Sequence, residues 1–561
     1  MMRRTTRAWL IVLSIAALAG RTHAQVGPDR LVNAAKEARN WLIYSGGYFS
    51  QRHSGLTQIT PTNAKNLELK WMYQAAVAGV WQTTPLVVDG VMYLTQRLND
   101  VVALDARTGR VFWIYRHTLD PTLVVCCGAN NRGLAILGDT LYMGTLDAHL
   151  VAIDAKTGRQ LWKTKVAESK AGYSVTHAPL VVKDKVIVGV GGGEYGIRGF
   201  IAAFDARSGR EAWRFYTIPA PNEPGGDSWK PCPPASATFC DPEAWKHGSG
   251  SVWVTGSYDP GLNLTYWGVG NAGPDWNSDQ RPGDNLYTDS VVALDADTGR
   301  LRWHYQFTPH DRYDYDSVQV PILADITWNG GPVKAMLWAN RNGNFYVIER
   351  ATGRFLSGHP FVKVNWMSHF DEKGRPVQTV QPAGQPTWPG NQGGTNWYSP
   401  SYSPRTKMFY VSAWENYATI FGGTDVEYRE GRNFGGGNNR PLVAVPGAPS
   451  IGLRRGPINN WTEAAATGAV LALDTATGEV KWRFPMTDVT DSGILTTASD
   501  LLFTGGREGY FHALDAKSGT LLWKASLGSQ IVNGPITYEV EGKQYVATIS
   551  GLSLCVFGLR E

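Results

Sequence analysis

Short apolar runs separated by polar turns recur along the chain and predict a repeated β-structure. Each copy has an apolar strand, an Asp-x-x-Thr/Ser-Gly turn and a second strand that ends in Trp. Six segments follow this pattern closely: VALDARTGRVFW (102–113), VAIDAKTGRQLW (151–162), AAFDARSGREAW (202–213), VALDADTGRLRW (292–303), LALDTATGEVKW (471–482) and HALDAKSGTLLW (512–523). Looser copies at 63–71 and 347–356 bring the number of copies to eight.

The spacing of the repeat tryptophans matches the size of a propeller blade. Trp113 and Trp162 are 49 residues apart, and Trp162 and Trp213 are 51 apart, close to the period of about 40–50 residues of four-stranded blades. A blade cannot bury both faces alone, so blades stack in a ring with each Trp packed against the next blade. We therefore predict an all-β, eight-bladed β-propeller. Wider gaps predict long insertions rich in Gly, Pro and Trp at 217–290 and 357–460, where chemistry tends to be placed.

The N-terminus has the features of a secretory signal peptide. Three arginines precede an apolar run over residues 8–20, and a candidate cleavage site follows Ala24. An uncleaved anchor helix is the alternative, but 13 apolar residues fall short of the roughly 20 that span a bilayer. We therefore predict a signal peptide at 1–24 and a single propeller domain at 25–561, exported into an oxidising compartment.

Composition excludes two classes of partner. Charged residues make up 18% of the chain and the formal net charge is +5, which is too mild for a nucleic-acid-binding protein, and no Lys/Arg-rich run occurs outside the leader. No second apolar stretch approaches membrane length, so we expect no membrane span after the signal peptide is removed.

The five cysteines suggest where a functional site lies. Cys126 and Cys127 are adjacent, whereas disulfides usually join residues with Cα atoms about 4.4–6.8 Å apart, so a bond between neighbours strains the backbone. Strain of that kind often marks a functional site. Two buried thiols are the alternative. Cys232 and Cys240 could close a second short loop, and Cys555 is expected to be a buried thiol.

Six short motifs occur in a specific order along the chain. They read CC-G-x-x-NRG, GGGEYGIRG, WGVGN, TPHDRYDYD, ANRNG and GGTNW. Together with the eight repeats, this order resembles the pyrroloquinoline quinone (PQQ) dependent alcohol dehydrogenases, the methanol and ethanol dehydrogenase family. The likeness covers nearly the whole chain after the leader. No CxxCH motif is present, which separates the sequence from the haem-bearing branch.

The resemblance implies a PQQ pocket. PQQ is a flat, tricarboxylated orthoquinone, so its pocket needs apolar planes, cations and hydrogen-bond donors. The family pattern implies the Cys126–Cys127 disulfide above the ring, Trp253 below it, Arg132 at a carboxylate and Arg341 beside the reactive carbonyl. The remaining implied contacts are Gln82, Thr176, Gly191, Gly192, Gly193 and Asn396. Packing for Trp253 and turn formation for the Gly and Asn residues are the alternatives.

The resemblance also implies a metal site. Glu194, Asn271 and Asp314 fall at family positions for metal binding or catalysis and offer the hard oxygen donors that Ca²⁺ prefers. Asp316 lies two residues beyond Asp314, which in an extended segment puts both carboxylates on one face. Two such acids repel unless a highly charged cation lies between them. The pattern is similar to the lanthanide-dependent branch, so Ca²⁺ or a lanthanide(III) ion is expected. A solvated acidic turn including Asp311 is the alternative.

The family implies a mechanism and partners. Asp314 acts as general base on the alcohol while hydride passes to the quinone, which the metal and Arg341 polarise. The substrate is a small-molecule alcohol, and a separate periplasmic cytochrome c accepts the electrons. His310 is expected to be structural. Whether the chain forms a homodimer stays open.

Three departures from the family pattern bear on the substrate. Gln82 replaces a usual Glu, Gly191 replaces a common Ser, and Thr490-Asp491-Ser492 stands where methanol dehydrogenases carry a Trp near the cofactor. We therefore expect a primary alcohol larger than methanol. Two other functions stay open: a non-catalytic periplasmic scaffold, and a PQQ dehydrogenase that acts on a sugar or an amine.

Overall fold

The computed structural model describes residues 26–77, 79, 81–232, 240–441 and 466–560. The predicted signal peptide lies outside these ranges. Within them, eight antiparallel sheets of four strands, one extended by a short fifth strand, follow one another along the chain. This arrangement confirms the predicted eight-bladed β-propeller.

The blades are numbered in chain order by their first complete sheet. Their strands are, in blade 1, Leu86–Val88, Val91–Thr95, Val101–Asp105 and Val111–Tyr115; in blade 2, Ala135–Leu137, Thr140–Gly144, His149–Asp154 and Gln160–Lys165; in blade 3, Leu180–Val182, Lys185–Gly189, Phe200–Asp205 and Glu211–Tyr216; in blade 4, Ser257–Asp259, Leu264–Gly268, Ser290–Asp295 and Leu301–Gln306. Blades 5 and 6 consist of Ile322–Trp328, Gly331–Ala339, Asn344–Glu349 and Arg354–Pro360, and of Ser401–Ser403, Met408–Glu415, Thr467–Asp474 and Val480–Met486. Blade 7 consists of Leu495–Thr497, Leu501–Gly505, Tyr510–Asp515 and Leu521–Ser526. Blade 8 consists of Ile536–Val540, Lys543–Ser550, Ser553–Leu559 and Leu67–Gln74.

Helices are few and short in the described part of the chain. One α-helix spans Pro28–Val32, and the 3₁₀ turns are Ala34–Lys36, Ala64–Asn66, Arg97–Asn99, Ser169–Ala171, Gly193–Tyr195, Gly226–Ser228, Ala244–Lys246 and Ser278–Gln280. Two hairpins lie outside the blades, Met367–Phe370 with Pro376–Gln378 and Thr419–Gly423 with Gly437–Pro441.

The two ends of the described chain close the ring. The outer strand of blade 8, Leu67–Gln74, comes from near the N-terminus and pairs antiparallel with Ser553–Leu559. The short strand His53–Ser54 adds in parallel to the first strand of blade 7. The looser repeat copy at 63–71 therefore completes a blade whose other strands lie at the far end of the sequence.

The repeat turn explains why most copies end in Trp. The carboxylate of Asp105 accepts the backbone N–H groups of Arg107 and Thr108, and Gly109 follows with a φ of +74°, which favours glycine. Trp71 of blade 8 packs on that glycine, where an added Cβ would lie 2.5 Å from the ring. The glycine is thus needed both for the turn and for docking of the preceding blade.

The same docking recurs around the ring. The ring of Trp113 packs on Gly158 of blade 2, and its Nε1 donates to Ala155 O at 3.1 Å. In blade 5, whose repeat copy lacks the Trp, His359 packs on Gly478 of blade 6 instead. The inter-blade contact is therefore kept where the sequence motif is weakest.

Burial separates inner from outer strands. The inner strand residues Leu150, Val151 and Ala152 are fully buried, because both faces of an inner strand meet neighbouring blades. The outer strand Gln160–Lys165 alternates exposed and half-buried residues. Most of the apolar core thus lies between the blades.

The residue ranges predicted for the two insertions are too long, because each includes strands of a blade. The segment 217–290 contains the first two strands of blade 4, and 357–460 contains the first two strands of blade 6. These strands were missed because the Asp-Gly turn and its Trp mark only the third and fourth strands of a blade. Among the described residues, no helix has the length and apolar character needed to cross a membrane.

Candidate active site

Loops from different blades meet at one cavity of about 720 Å³ including its open mouth. Cys126 and Cys127 lie between blades 1 and 2, Glu194 follows the second strand of blade 3, and Asp314 lies between blades 4 and 5. The lining residues are Cys126, Cys127, Gly128, Asn130, Arg132, Ser174, Thr176, Gly191, Gly192, Glu194, Ser251, Trp253, Asp314, Asp316, Arg341, Gln392 and Asn396.

The adjacent cysteines form a disulfide, so the two-thiol alternative is wrong. Their sulfurs are 2.07 Å apart and their Cα atoms 3.8 Å apart. Cys127 Sγ lies 3.4 Å from Glu194 Oε1, which places the disulfide against the acidic side of the cavity. Cys232 and Cys240 are also bonded, and Cys555 is a buried free thiol, as predicted.

Arg132 lies between two indole rings. Its guanidinium carbon is 4.9 Å from the Trp253 ring and 4.8 Å from the Trp397 ring, so cation–π attraction holds it in place. Its Nη1 donates to Thr176 Oγ1 at 3.1 Å and to Trp253 O at 3.4 Å. One cation, one hydroxyl and one aromatic ring are thereby fixed together in the cavity wall.

The three glycines of the GGGEYG motif have different structural roles. Gly192 has a φ of +114°, and a Cβ there would lie 2.1 Å from Gly172 O, so no other residue fits. Gly191 pairs with Ser174 through two backbone hydrogen bonds. Gly193 begins the 3₁₀ turn that carries Glu194 into the cavity.

Arg341 pairs with both aspartates of the DYD sequence. Its Nη2 lies 2.9 Å from Asp314 Oδ2 and its Nη1 lies 2.7 Å from Asp316 Oδ2. The Arg341 side chain is only 5% exposed, and its Nε donates to Asn391 O. Asp316 and Asp311 are also buried, so the solvated acidic turn is ruled out.

Six carboxyl groups crowd this side of the cavity. Burial raises the pKa of Glu194 to about 7 and that of Asp311 to about 6. Burial, with repulsion from neighbouring acids, also holds the pKa values of three others well above the usual range, Asp275, Asp289 and Asp314. Asp316 is the sixth carboxyl group. The carboxyl groups outnumber the buried guanidinium groups of Arg132, Arg281 and Arg341, so full ionisation would leave an excess of negative charge. Such an excess is costly without a multivalent cation.

The carboxylates do not yet surround a single point. In the described part of the chain, one trio of potential ligands has its donor atoms within 4.8 Å of one another: Cys126, Cys127 and Glu194. Disulfide sulfurs are poor ligands for hard cations, which prefer oxygen. Asp314 and Asp316 face the same cavity as Glu194 but are held by Arg341, so an ion would have to share them with that guanidinium.

Twelve of the predicted site residues line the cavity, and three do not. Gln82 is buried outside the lining, and its Oε1 has no hydrogen-bond partner among the described residues. Gly193 is turned away, with its carbonyl taken by Ser249 Oγ at 2.6 Å. Asn271 lies behind Asp316, whose Oδ1 accepts its backbone N–H at 3.1 Å. These three residues therefore lie behind the lining of the cavity in this structure.

The sequence motifs missed several lining residues. Ser174 and Ser251 each lie two positions before a predicted site residue, Thr176 and Trp253. Because alternate residues of an extended segment share a face, this spacing could have identified both serines. Nothing in the sequence pointed to Gln392. His310 lies outside the lining, with its Nδ1 hydrogen-bonded to Gly283 O at 2.7 Å.

Comparison with known proteins decides the family. The family profile "Glucose/ethanol/alcohol dehydrogenase, beta-propeller domain" of the PQQ proteins matches residues 41–386 and 362–546. The chain belongs to the PQQ-dependent alcohol dehydrogenase family. Among relatives of this alcohol dehydrogenase, the quinoprotein alcohol dehydrogenase PedH of Pseudomonas putida is 36% identical over 98% of the chain and 92% of its own length. The 1-butanol dehydrogenase (cytochrome c) of Thauera butanivorans is 38% identical over 91% of the chain and 74% of its length.

A solved structure supports the same assignment. A europium-containing methanol dehydrogenase has a TM-score of 0.85 and 33% identity, and the match covers 95% of this chain and 100% of that one. The donors of the cavity fit the family's cofactor, because a flat tricarboxylate needs an aromatic face, a cation and hydroxyl or amide donors. Trp253, Arg132, Thr176 and Asn396 supply these groups in the cavity lining.

Proposed function

We propose that this alcohol dehydrogenase is a periplasmic enzyme that oxidises a primary alcohol larger than methanol to an aldehyde. It would use PQQ and a metal ion in the cavity and pass electrons to a cytochrome c. The observation that carries the proposal is one cavity lined by the adjacent disulfide, by the Arg132–Trp253 pair and by the Arg341-paired carboxylates.

The cofactor-binding roles follow from the chemistry of the lining. Bound PQQ would supply the acceptor for the substrate hydride. Arg132 would pair with a cofactor carboxylate through its planar fork, and Thr176 and Asn396 would donate to oxygens at the ring edge. Gly191 and Gly192 leave the main chain open to close approach. Gln82 and Gly193 would support this wall from behind.

Asp314 is the proposed general base. It is the more exposed of the two paired aspartates, with 21% of its side chain accessible against 10% for Asp316. Burial and neighbouring carboxylates raise its pKa well above the usual range, which makes it a better proton acceptor. Arg341 opposes this rise and fixes the orientation of the carboxylate. Asp314 would take the hydroxyl proton of the alcohol as the hydride leaves its α-carbon.

Glu194, Asn271, Asp314 and Asp316 are the proposed metal ligands. Carboxylate and amide oxygens suit both Ca²⁺ and lanthanide(III) ions. The surplus of negative charge around Arg281 and Arg341 favours the trivalent ion, which gains more from each added carboxylate. We therefore propose a lanthanide, although the same donors would accept Ca²⁺. The ion would act as a Lewis acid beside the reacting oxygen.

Export and the electron acceptor belong to the same proposal. Two disulfides in the described chain are typical of an oxidising compartment and agree with a signal peptide at 1–24 followed by one domain at 25–561. The name of the relative 1-butanol dehydrogenase (cytochrome c) supports both the acceptor and a substrate larger than methanol. The buried Asp491–Arg507 ion pair, at 2.9 Å, occupies the stretch where methanol dehydrogenases carry a Trp.

Reconstitution tests the proposal. The purified mature chain would be incubated with PQQ and either Ca²⁺ or La³⁺, and dye reduction would be followed over a panel of alcohols, a sugar and an amine. We expect near-stoichiometric PQQ and activity that is higher with 1-butanol than with methanol. No bound chromophore and no dye reduction under either metal would favour the scaffold alternative, and activity confined to the sugar or the amine would favour the third function.

A further inference from the structure

Asp275 is a buried carboxylate that the proposed mechanism does not use. It lies four residues beyond Asn271, is 6% exposed, and does not line the cavity. Within the described ranges, no basic side chain pairs with it. The buried guanidinium of Arg281 attracts Asp275 but donates to the adjacent Pro274 O, and a buried carboxylate without a direct ion pair is costly. A further positive charge nearby would therefore stabilise it.

Asp275 fixes the side-chain amide of Asn271. Asn271 Nδ2 donates to Asp275 Oδ1 at 2.9 Å and to Ala272 O at 3.2 Å. Both amide hydrogens therefore have acceptors. Because the carboxamide is planar, its Oδ1 points away from these two partners and is the atom left for a cation.

The same asparagine is linked to Asp316. Its backbone N–H donates to Asp316 Oδ1 at 3.1 Å, while Asp316 Oδ2 binds Arg341. A continuous chain of contacts thus runs from Asp275 through Asn271 to Asp316. A shift of Asn271 would move one proposed ligand and release the partner of another.

We propose that Asp275 is a positioning residue of the metal site, which holds Asn271 with its amide oxygen toward the ion and adds a negative charge just outside the ligands. This inference rests on the proposed metal-dependent function. Outer partners of metal ligands orient them and raise their affinity for the ion. A carboxylate at this position favours a trivalent ion over a divalent one, since attraction grows with the charge of the ion.

Metal titration of the full-length, PQQ-loaded and chelator-stripped protein tests the role. Binding of La³⁺ and of Ca²⁺ would be measured by calorimetry for the wild type, Asp275→Asn and Asp279→Asn. Asp279 is exposed on the same loop, so its substitution is a matched change of charge. We expect Asp275→Asn to weaken La³⁺ binding by about 10- to 100-fold and Ca²⁺ binding less, with Asp279→Asn unchanged.

A second background separates positioning from general damage. In an Asn271→Ala protein, Asp275→Asn should weaken La³⁺ binding less than it does in the wild type, because the positioning contribution is already lost and only the contribution of the charge remains. If Asp275→Asn fails to fold, Asp275→Ser replaces it, because serine keeps a short hydrogen-bond acceptor and removes the charge. Thermal unfolding checks that each variant is folded. Wild-type affinity in both Asp275 variants, or an equal loss in the Asn271→Ala background, would overturn this inference alone. No metal binding by the wild type would overturn the proposed metal site as well.

Discussion

Arg341 Nη1 lies 2.7 Å from Asp316 Oδ2, so the added aspartate of the DYD sequence is paired with a guanidinium. The same arginine holds Asp314 at 2.9 Å. One buried cation therefore bridges two carboxylates that would otherwise repel. It does not balance the remaining acids around the cavity, which is why a metal ion is still expected.

Asp316→Asn should abolish lanthanide-supported turnover. The substitution removes a charge from the ligand set and weakens the pair with Arg341, so the loss in kcat/KM with La³⁺ should exceed the roughly 10- to 100-fold typical of outer partners. Dye-linked assays with La³⁺ and Ca²⁺ measure this effect, with Asp279→Asn as the control for charge alone. A variant that keeps its La³⁺ activity, or a wild type equally active with both ions, would contradict the lanthanide assignment and favour a Ca²⁺ site.

The Cys126–Cys127 disulfide should matter for activity more than for stability. Its ring is so small that replacing both cysteines with Ser should cost only about 1 kcal/mol through chain entropy, whereas alcohol oxidation should be largely lost. The Cys232–Cys240 bond lies outside the cavity lining and closes a longer loop. Its double Ser variant should lose about 2–3 kcal/mol and keep its activity. Thermal unfolding and a dye-linked assay would contradict this prediction if the two variants showed the reverse pattern.

The metal-free protein should lose stability as pH rises through Glu194. Burial raises the pKa of Glu194 to about 7 from 4.5, so between these values the folded state binds the proton more tightly than the unfolded state. Stability from this group is therefore present below about pH 4.5 and lost by about pH 7. Glu194→Gln should flatten this slope in unfolding temperatures measured from pH 5 to 7.

Glu508 provides the control for that measurement. Burial also raises its pKa to about 7, but it does not line the cavity. Added La³⁺ should remove the contribution of Glu194 to the pH slope and leave that of Glu508. A slope that La³⁺ does not change in the wild type would show that Glu194 is not a ligand.

Trp113→Ala should destabilise the ring at one blade junction. The indole packs on Gly158 and donates to Ala155 O, so its loss should cost about 3 kcal/mol. The neighbouring Phe112 is 44% exposed, and Phe112→Ala should stay within about 0.5 kcal/mol. Urea unfolding of both variants tests the docking role, and equal midpoints would contradict it.

The fold was readable from the sequence because one local pattern repeats. The Asp-x-x-Thr-Gly turn and its Trp mark the outer half of a blade, and their spacing gives the ring. The first two strands of blades 4 and 6 escaped prediction, because inner strands such as Leu264–Gly268 are buried throughout and lack the Asp-Gly turn. The pairing of the N-terminal strand Leu67–Gln74 with the C-terminal strand Ser553–Leu559, which completes blade 8, also has no local sequence signal near residue 67.

The candidate site was only partly readable. Motif order indicated the disulfide and the DYD aspartates, and the family resemblance implied Trp253. All of these residues line one cavity. Partners that meet only in three dimensions were not predictable from spacing. The Arg341–Asp316 pair joins residues 25 positions apart in different loops. The Asn271–Asp275 hydrogen bond is relevant to the site only because Asn271 also contacts Asp316, which the sequence does not show.

A diffraction experiment on the protein crystallised with PQQ and La³⁺ tests the central claim most directly. The account predicts an anomalous peak in the cavity within about 2.3–2.6 Å of oxygens from Glu194, Asn271, Asp314 and Asp316, and quinone density in contact with the Cys126–Cys127 disulfide and Trp253. A lanthanum peak away from these carboxylates, or a cavity without quinone density in crystals that contain PQQ, would contradict it.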